Sequence, residues 1–233
     1  MTAHSLPYLA NCSLLFTELP LLRRPAAARS AGFSAVEFWW PFATPVPSDR
    51  EVDAFATAIE DASVSLVGLN FFAGDLAGPD CGVLSIPARS GEFRDNIDVV
   101  AGIGKRLGVR GCNALYGNRV DDAVAVVPRA RAAGAANVGF LCDLYHLASN
   151  GDDIDAAIAA HTDVTAHVQI ADAPGRGEPG SGQLDLGRYL ADLENAGYRG
   201  WVSLEYKPTG TTEESLAWLP RERRAGHVEE EQP

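Results

Sequence analysis

The sequence predicts a parallel α/β fold of the barrel type, (β/α) units closing around a core. Three observations predict it. Strand-like and helix-like runs alternate from end to end, at a spacing of about 27–45 residues per unit, the length of a strand with its helical crossover. The strand-like runs are nearly all apolar, as in a sheet covered on both faces. Three of them, 138–143, 164–169 and 201–205, nevertheless end in Asp143, Gln169 and Glu205, and polar residues at strand C-termini meet around one pocket in such a barrel.

The elements follow in order. Residues 8–16 read as the first strand. A helix over 20–31 is stopped by Gly32, and a strand over 35–40 ends at Pro41. Residues 48–63 form a helix with Ser48 as N-cap and Glu51 three residues on, a capping box. The third strand is 64–72. A Gly- and Pro-rich loop over 73–87 leads to a helix over 89–107, ended by Gly108, and to a strand over 109–115. The helix over 122–133 contains Pro128, which should kink or shorten it. Strand 137–144, helix 152–160, strand 164–170, loop 171–183, helix 186–196, strand 200–206 and a final helix over 211–225 complete the chain. The count is seven strands, with an open doubly wound sheet as the structural alternative. No G-x-G-x-x-G follows the first strand, so a dinucleotide site has no support. One domain over 1–226 and an acidic disordered tail over 227–233, carrying Glu229, Glu230 and Glu231, are expected.

Composition narrows the function. A net charge of −12 argues against nucleic acid or an anionic membrane as partner. Cys12, Cys81, Cys112 and Cys142 form no C-x-x-C pair, and three lie in apolar runs. Buried thiols in a reducing cytoplasm are expected rather than a disulfide frame or a zinc site. No apolar run reaches the length of a membrane span, and no signal peptide is evident.

Asp143, Gln169 and Glu205 form a hard oxygen-donor set, suited to a divalent metal and a small oxygenated substrate. Asn11, Glu37, Asn70 and Asn113 add polar strand positions; each alone would be an ordinary satisfied core hydrogen bond, and together they describe a polar barrel mouth. Asp143 reads either as a helix N-cap or as a metal carboxylate with His146 nearby. Strand alternation puts His167 and Gln169 on one face, with Asp172 just past the strand end. The same alternation pairs Glu205 with Lys207, for joint action on a substrate or as a surface ion pair. The glycine-rich stretch 175–182 reads as an active-site loop.

These motifs resemble the hydroxypyruvate isomerase family, within the xylose-isomerase-like TIM barrels. The resemblance runs from residue 8 to 220 and rests on Asn11-Cys-Ser-Leu-Leu-Phe16, Asn70-Phe-Phe-Ala-Gly-Asp75, Cys142-Asp-Leu-Tyr-His146, His167-Val-Gln-Ile-Ala-Asp172, Gly175-Arg-Gly-Glu-Pro-Gly180 and Glu205-Tyr-Lys-Pro208. It implies a TIM-barrel-like fold and the interconversion of hydroxypyruvate and tartronate semialdehyde, with a relative that isomerises 2-oxo-tetronates. It implies a divalent cation, Mg²⁺ or Mn²⁺, on Asp143, Gln169 and Glu205, and Glu205 as acid/base. His146, Lys207, Arg176, Asn70, Asn113 and Asp172 would bind a small hydroxy or oxo acid. The family's other catalytic Glu ends an extra strand between the Asn113 and Asp143 strands. It has no match here: about 28 residues separate those strands, too few for a further βα unit. Asp121 or Asp122 is the nearest stand-in. A chain so shortened is either a working isomerase, a non-catalytic binder of sugar acids, or a product that folds poorly. A homo-oligomer is compatible with its open edge.

Overall fold

The computed structural model describes residues 4–75, 82–83, 86–109, 111–113 and 120–226. Among them seven parallel strands alternate with helices. In chain order these are β1 (Tyr8–Asn11), α1 (Arg24–Ser30), β2 (Ala35–Phe38), α2 (Asp49–Ala62), β3 (Ser65–Asn70), α3 (Ser90–Leu107), β4 (Gly111–Asn113), α4 (Val120–Ala132), β5 (Phe140–Asp143), α5 (Leu144–Asn150), α6 (Ile154–His161), β6 (Thr165–Ile170), α7 (Leu186–Asn195), β7 (Val202–Leu204) and α8 (Thr212–Ser215). The strand count read from the sequence holds. The expected tail over 227–233, Cys81 and residues 114–119 lie outside the described residues.

The chain divides into two compact units. The N-terminal unit lies within Ala10–Tyr116, the C-terminal unit within Met1–Leu9 and Gly117–Pro233. In the N-terminal unit the strand order is β4–β3–β2, followed by Ala10 and Asn11 of β1, all parallel. In the C-terminal unit it is β7–β6–β5, and Val202 N–H donates to the Pro7 carbonyl at 2.8 Å, tying the segment before β1 to β7. β1, β2 and β7 are buried at every position, so both sheet faces are covered and no polar/apolar alternation is needed.

The helices form for local reasons. On α2 the Ser48–Glu51 capping box is complete, and Phe55, Ala56 and Ile59 make the buried stripe. On α3, Gly108 takes the left-handed cap at φ 66°. On α7, Asp185 caps the start and Leu186, Leu190 and Leu193 face inward.

Four expectations are corrected. The first strand stops at Asn11 rather than running to 16, because the Asn11 carbonyl accepts from Leu14 and Leu15 and its side chain from Ser13, turning the chain. The helix expected over 211–225 is only α8; Arg224 donates to the carbonyls of Leu216 and Leu219, and Pro220 cannot continue a helix. Helix α4 is not shortened by Pro128: it runs from Val120 to Ala132 through that residue, which is exposed and forfeits one backbone bond. Residues 144–150, absent from the expected order of helices although Asp143 could be read as an N-cap, form α5; Asp143 caps its start and Gly151, at φ 75°, its end. Of the thiols, Cys12 and Cys142 are buried and Cys112 is exposed.

Candidate functional site

In the C-terminal unit, register aligns polar side chains in a row. Asp143 on β5 stands level with Gln169 on β6, and Gln169 level with Ser203 on β7. Residues level across a parallel ladder point to the same face, and so do residues two apart on one strand. Glu205 follows Ser203 by two positions, just past β7, where its N–H donates to the Ile170 carbonyl at 3.0 Å. Asp143, Gln169 and Glu205 are all buried. Asp143 and Gln169 are therefore brought together on one side of one sheet, and Glu205 lies just beyond the end of β7, tied to β6 through the Ile170 carbonyl. The rung itself is completed by Ser203, which the sequence reading passed over.

Asp143 takes the first of the two roles the sequence left open, that of a helix N-cap. Its Oδ1 accepts from Tyr145 N–H at 2.9 Å and His146 N–H at 3.1 Å, capping α5. Its Oδ2 lies 3.6 Å from His146 Nε2. The neighbouring Cys142 thiol is pushed up to about 12, by burial first and by the Asp143 charge second, so it stays protonated and offers no thiolate.

The loop after β6 supplies the cation. Asp172, fully buried, accepts from the N–H groups of Ala173, Gly180 and Leu184. These three bonds fold residues 173–184 back on themselves, so Asp172 shapes the loop. Arg176 sits on this loop at φ 62°, a conformation costly for a side-chain-bearing residue and held here by its contacts. Its carbonyl accepts from Lys207 N–H at 2.7 Å, its Nη2 donates to Glu205 Oε2 at 2.8 Å, and its guanidinium lies 5.2 Å from the Tyr145 ring centroid. This ion pair is buried, with side-chain exposures of 16% and 5%. Glu205 thus meets Arg176, where alternation had paired it with Lys207. β7 ends at Leu204, so alternation does not extend to Lys207, which is exposed. The one advance signal for Arg176 was its place among the glycines of 175–182.

Asn70 and Asn113 lie in the N-terminal unit, at the ends of β3 and β4, where Asn113 Nδ2 donates to Asn70 Oδ1 at 3.2 Å. Asn70 also lines a cavity of about 40 Å³ with Trp39, Trp40, Phe42, Phe71 and Phe72. Asn11 donates to the buried Glu37 at 3.0 Å. Asp121 and Asp122 are exposed in the first turn of α4.

Among the described residues no three of His, Cys, Asp and Glu gather as a metal would need. The candidate set stands on two carboxylates and one amide oxygen. All three are hard donors, which suit Mg²⁺ or Mn²⁺ with retained waters and do not suit a soft metal. The donor chemistry fits; the number of protein ligands is low.

Residues 91–222 match the family model described as xylose isomerase-like TIM barrel. A Streptomyces coelicolor protein named putative hydroxypyruvate isomerase is 46% identical, covering 92% of this chain and 96% of its own length. The Escherichia coli hydroxypyruvate isomerase is 28% identical, covering 92% and 98%. A Brucella melitensis crystal structure titled AP endonuclease, family 2 superposes with a TM-score of 0.77 at 29% identity, covering 92% of this chain and 98% of that one. The Streptomyces alignment spans 267 positions, yet 92% of a 233-residue chain is about 214 residues, so about 50 positions of the relative have no counterpart here.

Proposed function

Since the chain belongs to the hydroxypyruvate isomerase family of xylose isomerase-like TIM barrels, we propose that it interconverts hydroxypyruvate and tartronate semialdehyde, with Glu205 moving the proton. The observation that carries this reading is the buried Glu205 carboxylate just past β7 with the Arg176 guanidinium 2.8 Å away. Substrate and product are both carboxylates, and a planar guanidinium binds a carboxylate through two parallel N–H donors. Arg176 would hold the substrate carboxylate and so place C2 and C3 beside Glu205. Glu205 would take a proton from C3 of hydroxypyruvate and return it to C2, giving the aldehyde at C3, while the hydroxyl proton passes from O3 to O2. Asp143, Gln169 and Glu205 would hold Mg²⁺ or Mn²⁺. A divalent cation there supplies polarisation of the carbonyl and stabilisation of the enediolate. His146, beside Asp143, and Lys207, whose N–H holds the Arg176 carbonyl, would flank the bound acid.

We further place the protein in the cytoplasm, where free thiols such as buried Cys12 and Cys142 persist. No helix among the described residues is long and apolar enough to cross a membrane.

The test is proton exchange into hydroxypyruvate in deuterated buffer with Mg²⁺, followed by NMR. The wild type should exchange the C3 proton and accumulate aldehyde, and Glu205→Gln should lose at least about 100-fold in rate, the usual contribution of a positioned acid/base. A folded wild type without exchange would leave a non-catalytic binder of sugar acids as the reading.

A further inference from the structure

Ser203 is fully buried, and its Oγ has no hydrogen-bond partner among the described residues. A buried hydroxyl left without a partner is costly, and native structures rarely tolerate one unless a water or ligand completes it. The location of this one is informative. Ser203 is the β7 member of the rung that carries Gln169 and Asp143, and it lies two residues before Glu205 in the chain. The orphaned oxygen therefore belongs to the rung of the donor set that presents the Asp143 carboxylate and the Gln169 amide. Its other strand neighbours are apolar: Val202 and Leu204 point to the opposite face and are fully buried.

We infer that Ser203 is a further polar contact of this site, its hydroxyl holding a water that a divalent cation carries in the shell left short by the missing glutamate. The inference rests on the metal reading above. Mg²⁺ and Mn²⁺ keep waters when few protein ligands are offered. A neutral hydroxyl can accept from or donate to such a water without adding charge beside the Arg176–Glu205 pair. Ser203 would then be a positioning residue, acting on the cation through its water and not on the substrate.

The test is titration of the metal-free protein with Mn²⁺, read as free Mn²⁺ by electron paramagnetic resonance, for the wild type, Ser203→Ala, Ser203→Cys and Glu205→Gln. Circular dichroism melts without metal accompany each. Ser203→Ala removes the hydroxyl, and Ser203→Cys keeps the volume with a poor hydrogen-bonding group. Both should weaken Mn²⁺ about tenfold, the order found when a partner of a metal's ligands is lost, with melting unchanged. Wild-type affinity in both variants overturns the inference, and a loss in Glu205→Gln alone then leaves the metal reading standing. Failure of the wild type to bind Mn²⁺ overturns both. Failure of both serine variants to fold makes the hydroxyl structural and overturns the inference.

Discussion

Arg176 and Glu205 are a buried pair whose members depend on each other. Removing one partner of such a pair leaves an uncompensated charge, which costs about 3–5 kcal/mol. Arg176→Ala should therefore lower stability by about 3 kcal/mol or more in urea unfolding, in addition to any loss of substrate affinity. Glu205→Gln, which keeps an acceptor for the guanidinium, should cost much less. Equal unfolding midpoints for wild type and Arg176→Ala would mean that the pair does not hold in solution. A second buried group makes stability depend on pH. His4 is buried; its Nε2 shares a hydrogen bond with the Tyr8 hydroxyl at 2.9 Å, and its carbonyl accepts from Arg223 at 2.8 Å. Burial first, and the Arg223 charge second, hold its pKa below the ordinary 6.5, with Glu194 opposing. The unfolded chain thus binds the proton more readily than the folded one. The stability is intact above 6.5 and declines as pH falls below that value through the folded pKa. His4→Gln should flatten this limb, measured as the urea midpoint at several pH values between about 5 and 8.

Close packing between strands sets limits at the next scale. Gly68 on β3 stands opposite Glu37 on β2, beside a register shift between Val36 and Glu37. A Cβ at Gly68 would lie 2.8 Å from Glu37 Cγ and Oε2. Glu37 is fully buried and accepts from Asn11, so it has little room to yield. Gly68→Ala should cost about 1–3 kcal/mol by overpacking, read as a lower denaturant midpoint with an unchanged slope; a neutral effect would show that β2 can shift. The sequence disclosed most elements because their signals are local. The capping box at Ser48 and Glu51, the glycine after α3 and the apolar strands each state their conformation within a few residues. It misplaced what depends on distant partners. The end of β1 is set by Asn11 turning the chain, and the loss of the final helix by Arg224 reaching back to Leu216 and Leu219. At the site, strand ends pointed to Asp143 and Gln169, which stand level on neighbouring strands, and to Glu205 just past β7. Register, which no single strand carries, was needed to see Ser203 on the rung. Loop geometry was needed to bring Arg176 to Glu205.

At the scale of the whole chain, the decisive feature is a connection. Among the described residues one helix, α4, lies between β4 and β5, and about 50 positions of the Streptomyces relative find no counterpart in this chain. Among the described residues β4 pairs with β3 and β5 with β6, each on one side only. On the family resemblance, such a shortening would remove both a strand, leaving β-edges unpaired, and a glutamate expected to share the proton transfer with Glu205. Asp121 and Asp122, the nearest stand-ins in the sequence, are exposed on α4. The two losses can be separated by inserting a family βα unit ending in Glu-Pro in place of residues 114–119, beside the same insert ending in Gln-Pro. Both inserts supply the missing strand, and both should raise the melting temperature if the edges are what limits stability. Only the Glu insert supplies a second acid/base, so it should exchange the C3 proton of hydroxypyruvate at least about 100-fold faster than its Gln twin. Equal rates for the two inserts, both above the natural chain, would show that the shortened protein lacked a correctly shaped pocket, and that Glu205 alone suffices to move the proton once the pocket is restored.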